Sequence, residues 1–123
     1  MSYRLGKRSL SRLDGVDGDL VRVVKLAIQK SEVDFTVLEG LRTEERQKIL
    51  YERGASTTMN SRHLIGEAVD LGAYVDGQVD WSWPLYYKIA DAMKVAADEL
   101  GVTITWGGDW KSFKDGPHFQ VEH

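Results

Sequence analysis

An α+β domain, with a small, mostly antiparallel sheet and helices packed on one of its faces, is the fold class this chain predicts, as one domain over residues 1–123. Three observations carry that expectation. Two long stretches repeat apolar residues at a helical period, several shorter ones are β-branched and aromatic, and the two kinds do not alternate regularly as a parallel sheet requires.

Leu20, Val23, Val24, Ala27 and Ile28 make one stripe of a helix over residues 19–30, begun by Asp17 or Asp19. "DFTVLEG" then reads as a short strand stopped by Gly40. Thr43 is placed to N-cap "EERQKILYER", residues 44–53, whose glutamates fall in the first turn and whose Arg53 falls in the last, with Gly54 just beyond. Residues 55–66 read as a loop, and "EAVDLGAYV" as a strand that ends at a hairpin-type turn, Asp76-Gly77. From Trp83 to Leu100, the residues Leu85, Ile89, Met93, Ala96, Ala97 and Leu100 recur at helical spacing between Pro84 and the stop at Gly101. "VTITW" and "HFQV" are two further strands around the loop "GGDWKSFKDGP".

Composition narrows function. At 42% hydrophobic and 28% charged, the chain is globular, and its net charge of −3 lacks the positive field that binding to phosphate backbones demands, so nucleic acid is not an expected partner. Without cysteine, any metal falls to imidazole and carboxylate. The basic start "MSYRLGKRSLSRL" leads into "LVRVVKLAI", which Arg22 and Lys25 interrupt, so no cleavable signal is expected. No apolar run approaches the roughly 20 residues of a membrane span, so no membrane insertion is expected either.

Strand alternation supplies a geometric clue. Val69 and Leu71 face the helices, which turns Asp70 to the other side; likewise Phe119 and Val121 face in, and His118 and Gln120 face out. If the two strands are neighbours in register, Asp70 and His118 share the uncovered face. Of three histidines, His123 is the last residue, which leaves His63 and His118 to join Asp70 in a two-histidine, one-carboxylate set with a fourth position open. Spacing alone leaves the alternatives standing: a lone histidine is more often hydrogen-bonded or on the surface, and an aspartate after a strand is more often a cap.

"SRHLIGEAVDL" resembles the Ser-x-His-x-x-x-x-x-x-Asp signature of the zinc D-Ala-D-Ala carboxypeptidase and dipeptidase superfamily, whose D,D-peptidase-like fold hedgehog shares. "WGGDWKSFKDGPHFQ" resembles the second signature of its L-alanyl-D-glutamate peptidase branch, which includes bacteriophage endolysins. "FTVLEGLRTEERQKILYERGAS" also fits, so the resemblance runs from about residue 33 to residue 121.

The resemblance implies that His63, Asp70 and His118 hold one zinc ion and that Asp115 is the general base. The string Asp115-Gly116-Pro117-His118 is similar to the endopeptidase branch rather than to the Glu-x-Trp-His string of its relatives. Ser61 either binds substrate polar atoms or caps its loop. Arg42 suits the carboxyl of the substrate's D-glutamate, unless it is a surface residue paired with Glu45. Asp109 is a candidate acceptor for a ligand histidine or a turn residue. At least two of Trp81, Trp83, Trp106 and Trp110 are expected to be packing residues. Gly66, Ala68 and Gly72 are expected to let the backbone fold closely around the ion.

The implied activity is zinc-dependent cleavage of the L-alanyl-D-glutamate bond in peptidoglycan stem peptides, as the lysis enzyme of a phage or prophage. Such a monomer, made in the host cytoplasm without a signal peptide, needs a holin to reach the wall. The alternatives are a D,D-carboxypeptidase or dipeptidase of the same fold and a non-catalytic, zinc-stabilised domain that binds wall peptide.

Overall fold

A computed structural model describes residues 3–56 and 58–123; Met1 and Ser2 of the basic start and Thr57 of the expected loop lie outside the described residues. The apolar stripe forms α2, Gly18–Lys30, with all five of its expected residues buried. Asp17 is the cap: its carboxylate accepts from the backbone N–H groups of Asp19 and Leu20 at 2.9 and 3.3 Å. These bonds satisfy two of the donors that a helix start leaves free.

β1 is Phe35–Glu39, and Thr43 caps α3, Glu44–Glu52, by accepting from Arg46 N–H at 3.1 Å. β2, Ala68–Val75, turns at Asp76-Gly77 into β3, Gln78–Asp80. α4 runs Trp83–Leu100, with Pro84 in its first turn and Gly101 in the left-handed conformation after its end. β4 is Ile104–Trp106 and β5 is His118–Val121.

The strands form one antiparallel sheet in the order β1-β2-β5-β4, with β3 paired to β2. α2 and α4 pack on each other and on one face of the sheet, burying Val23, Ile89 and Met93 against Val69, Leu71 and Phe119. Each such aliphatic side chain contributes about 1.5 to 3 kcal/mol when taken from water. The helix-covered face therefore holds the fold together, and the other face is free for chemistry.

Two features depart from the expected arrangement. A short helix, α1 (Lys7–Arg12), precedes α2 and serves the edge strand β1. The Ser9 hydroxyl accepts from Val37 N–H, and Arg12 donates to the Val37 carbonyl, each at 2.9 Å, so backbone groups of this edge strand are satisfied. Helix "KRSLSR" has no apolar stripe, which is why periodicity does not find it. α3 also does not join the helical layer: only Gln47 is buried among its residues, and the helix forms a wall of the cleft described below.

Candidate active site

Asp70 and His118 are register partners across β2 and β5, and both turn away from the helices. His63 comes from a 3-10 turn, Arg62–Ile65, inside the stretch expected to be loop. Ser61 caps that turn by accepting from His63 N–H at 3.2 Å, so the capping role is realised. The three side chains converge: His63 Nε2 lies 3.3 Å and His118 Nδ1 3.5 Å from Asp70 Oδ1. All three donor atoms lie within 4.8 Å of one another.

These residues fit a zinc ion. Ligands at about 2.0 to 2.1 Å in a tetrahedron stand roughly 3.3 Å apart, close to the spacings just given. The far nitrogen of each ring is already engaged: His63 Nδ1 lies 2.8 Å from the Gly40 carbonyl, and His118 Nε2 lies 2.8 Å from Gln120 Oε1. Both acceptors favour a proton on the far nitrogen, so that the near one, which faces Asp70, is the one offered to a metal. Gly40 and Gln120 are site residues the sequence did not single out. An outward residue two places after a ligand on the same strand was the available signal for Gln120.

Charge is arranged accordingly. Burial works to raise the Asp70 carboxyl, but hydrogen bonds from His118 and His63 outweigh it and hold the group well below the usual carboxylate range. Burial opposes a charge on His118, yet its bonds to Asp70 and Gln120 shift its pKa upward. Asp115 is pushed up, first by burial and then by the Asp70 charge, against the pull of His118, His63 and Arg42.

Asp115 lies on the segment between β4 and β5. A 3-10 turn, Gly107–Asp109, anchors it, with Asp115 N–H donating to the Gly107 carbonyl at 3.0 Å. On the other side, His118 N–H donates to the Asp115 carbonyl at 3.2 Å. Among the described residues, no side chain donates a hydrogen bond to its carboxylate or pairs with it. A half-buried carboxylate with uncommitted oxygens can take a proton.

Arg42 is not a surface residue, and its partner is not Glu45. Its side chain is 8% exposed and grips Glu39 in a fork, Nε to Oε1 at 2.7 Å and Nη2 to Oε2 at 2.8 Å. Nη1 donates to Gln47 Oε1 at 2.7 Å and lies 3.5 Å from Ser61 Oγ, while Nη2 is 3.7 Å from Asp70 Oδ2. Gln47, fully buried, donates in turn to Ser56 Oγ and the Thr58 carbonyl. Arg42 and Ser61 both line a cleft of about 630 Å³ that opens onto the three metal-ligand candidates and Asp115.

Other expectations are corrected. Asp109 orients neither histidine; it is an exposed partner of Lys94 at 2.9 Å. Gly66 and Gly72 accommodate packing away from the three metal-ligand candidates: a Cβ on Gly66 would strike the Gly15 carbonyl, and one on Gly72 would meet Leu38 at 2.9 Å. Ala68 is buried opposite Gln120. Trp106 is in the core, and Trp83 packs on it at 6.4 Å. Trp81 stacks on Tyr86, and Trp110 alone of the four lines the cleft.

Gly40 joins fold to site. Any Cβ there would collide with the Arg12 carbonyl and sit 2.7 Å from Val16 Cγ2, while its own carbonyl holds His63. Gly40→Ala should lower unfolding free energy by about 1 to 3 kcal/mol through overpacking. Because the displaced carbonyl also releases His63, zinc affinity should fall as well; denaturant titration and metal titration check the two effects.

The sheet order and the helical layer define the D-Ala-D-Ala peptidase class of fold: the vancomycin-resistance D,D-dipeptidase VanXYg superposes with a TM-score of 0.58 at 21% identity, over 86% of this chain and 50% of that one. Within that class, the chain belongs to the phage L-alanyl-D-glutamate peptidase family, whose sequence model matches residues 1–121. It is 31% identical to the L-alanyl-D-glutamate peptidase of Escherichia phage T5, over 94% of this chain and 87% of that protein. The crystal structure of the Serratia marcescens L-Ala D-Glu endopeptidase ChiX is similar over 98% of this chain and 91% of that one, with a TM-score of 0.93 and 49% identity.

Proposed function

We propose that this protein is a zinc-dependent peptidoglycan endopeptidase that hydrolyses the L-alanyl-D-glutamate bond of the stem peptide in phage-type lysis. One observation carries the reading: Asp70, His118 and His63 converge on a shared point of the open sheet face, beside a half-buried carboxylate with no side-chain partner among the described residues. His63 Nε2, Asp70 Oδ1 and His118 Nδ1 would hold the zinc ion. When bound, zinc supplies Lewis acidity, which polarises a carbonyl and brings the pKa of a water toward roughly 7.

The chain's own groups do the rest. Asp115 takes a proton from the attacking water and delivers it to the amine nitrogen of D-glutamate as the bond breaks. Its raised pKa suits both halves of that transfer, since a carboxylate of ordinary acidity returns the proton less readily. Pro117 fixes one backbone angle between this base and His118. Ser61 offers a hydroxyl to the bound peptide from the cleft wall.

Arg42 contacts the substrate through Nη1, whose bond to Ser61 is long, and its fork with Glu39 sets the angle of the guanidinium. Arg42→Ala should reduce kcat/KM about ten- to a hundredfold with zinc content preserved, as a charge-assisted contact is worth roughly 1.5 to 3 kcal/mol. Lys should rescue only part, because it cannot reproduce the fork. Unchanged kinetics would remove Arg42 from substrate binding.

In this reading the enzyme reaches the wall when a holin opens the host membrane, and it works as a monomer. No helix among the described residues is long and apolar enough to cross a membrane. Mass spectrometry of products from defined muropeptides and zinc-loaded protein tests the function. Release of a fragment with a new D-glutamate amine is expected; release of terminal D-alanine would instead make the protein a D,D-carboxypeptidase, and no cleavage at all would leave a wall-peptide-binding domain.

A further inference from the structure

Phe113 is the most exposed large apolar side chain among the described residues, at 77%. Its backbone φ is +52°, in the left-handed region that bulky residues rarely enter. An exposed aromatic in a strained conformation at a cleft edge has no packing reason to be there, which directs attention to a ligand. The segment around it is tethered, with Trp110 and Asp115 N–H groups both donating to the Gly107 carbonyl, at 3.3 and 3.0 Å. Trp110 also lines the cleft, with its ring centroid 5.0 Å from that of His118. A wall of two aromatic side chains therefore begins beside a metal-ligand candidate, and the proposed mechanism makes no use of it.

The substrate chemistry indicates what such a wall would meet. In peptidoglycan the L-alanine nitrogen is acylated by the lactyl group of an amino sugar. The sugar ring is thus separated from the carbonyl under attack by one residue, roughly 3.5 Å of chain, and the short lactyl link. That reach matches a wall starting at His118. A pyranose presents C–H faces that stack on aromatic rings while its hydroxyls stay wet, and Lys114, also in the cleft, offers a donor to its polar groups. Arg42 and Arg46 also line the cleft, just before α3 and on it, and suit the carboxylates on the D-glutamate side of the bond. The cleft thus offers both aromatic and cationic side chains, as the two ends of this substrate require.

We propose that Trp110 and Phe113 form a docking wall for the amino sugar that carries the scissile peptide, so that the enzyme reads glycan as well as peptide. The proposal rests on L-alanyl-D-glutamate cleavage as the function. Its test compares kcat/KM of the zinc-loaded enzyme on a disaccharide-linked stem peptide and on the same peptide capped with N-acetyl in place of the sugar. The sugar-linked substrate should be preferred by about tenfold or more, the contribution of one well-packed aromatic contact. Phe113→Ala should bring that ratio toward one, and Phe113→Tyr should retain it. A general loss of folding or of zinc scales both substrates together and leaves the ratio in place. A wild-type ratio near one, or a ratio unchanged in Phe113→Ala, overturns the sugar wall while leaving the peptidase standing. Cleavage of neither substrate at this bond overturns both.

Discussion

Asp115→Asn should lower turnover by about a hundred- to ten-thousandfold, the usual consequence of removing a general base, while the protein stays folded and keeps its zinc. The amide is nearly isosteric, and the native carboxylate accepts no side-chain hydrogen bond among the described residues, so little structure is lost with it. The backbone bonds that hold the segment, Asp115 N–H to Gly107 and His118 N–H to the Asp115 carbonyl, do not involve the side chain. Removing one negative charge near Asp70, His63 and His118 should leave the metal-binding atoms in place. Asp115→Glu separates geometry from chemistry: an added methylene moves the carboxylate by about 1 Å, and misplacement of that size can reduce rate about a hundredfold. Turnover per zinc-bound enzyme on a defined muropeptide is the measurement. An Asn variant cleaving at the wild-type rate would remove the base role, and Asp109 would not inherit it, since that residue is occupied with Lys94.

His63→Ala and His118→Ala should each abolish zinc binding at micromolar metal, and with it activity. Wild type should carry about one zinc ion per chain. The same variants should lose the thermal stabilisation that zinc confers on the wild type, about 2.7 kcal/mol at a hundredfold excess over Kd. This is a readout independent of catalysis. Both side chains are buried, His63 at 2% exposure, so Asp70→Asn, at the more open position of the three, serves as the companion variant. Loading should depend on pH with a definite sign. Asp70 and Gln120 keep His118 in its doubly protonated form to a pH above its ordinary value of 6.5, and zinc must displace the proton on the nitrogen that faces Asp70. Zinc affinity should therefore rise with pH up to the raised pKa and level off above it. Metal analysis after dialysis against chelator decides the matter, and a wild type that binds no divalent ion would end the proposed mechanism.

Much of this molecule is determined locally. The stripe from Leu20 to Ile28, the cap at Thr43, the Asp76-Gly77 turn and the Pro84-to-Gly101 helix all follow from short-range preferences, and each forms where the sequence places it. Alternation along β2 and β5 likewise decides that Asp70 and His118 avoid the helices, because successive side chains of a strand must point to opposite faces. Whether those two residues meet is another matter. That depends on strand register, which only the assembled sheet settles by pairing Asp70 with His118 while Val69 pairs with Phe119 in the core.

What surrounds the site was decided by tertiary structure for a further reason: polar contacts between distant segments leave no periodic trace. The bond from His63 to the Gly40 carbonyl spans 23 positions, and the link of Ser9 to β1 spans 28. Arg42 offers the clearest instance. Its residue type alone left open a free guanidinium or a surface pair with Glu45, and the fold instead buries it against Glu39 and Gln47. The residues proposed as metal donors and base stand out in the sequence through the motifs that resemble the family's, helped by how few residue types can perform those tasks. Their supporting partners are backbone carbonyls, amides and hydroxyls, which every stretch of chain supplies, so only packing selects among them.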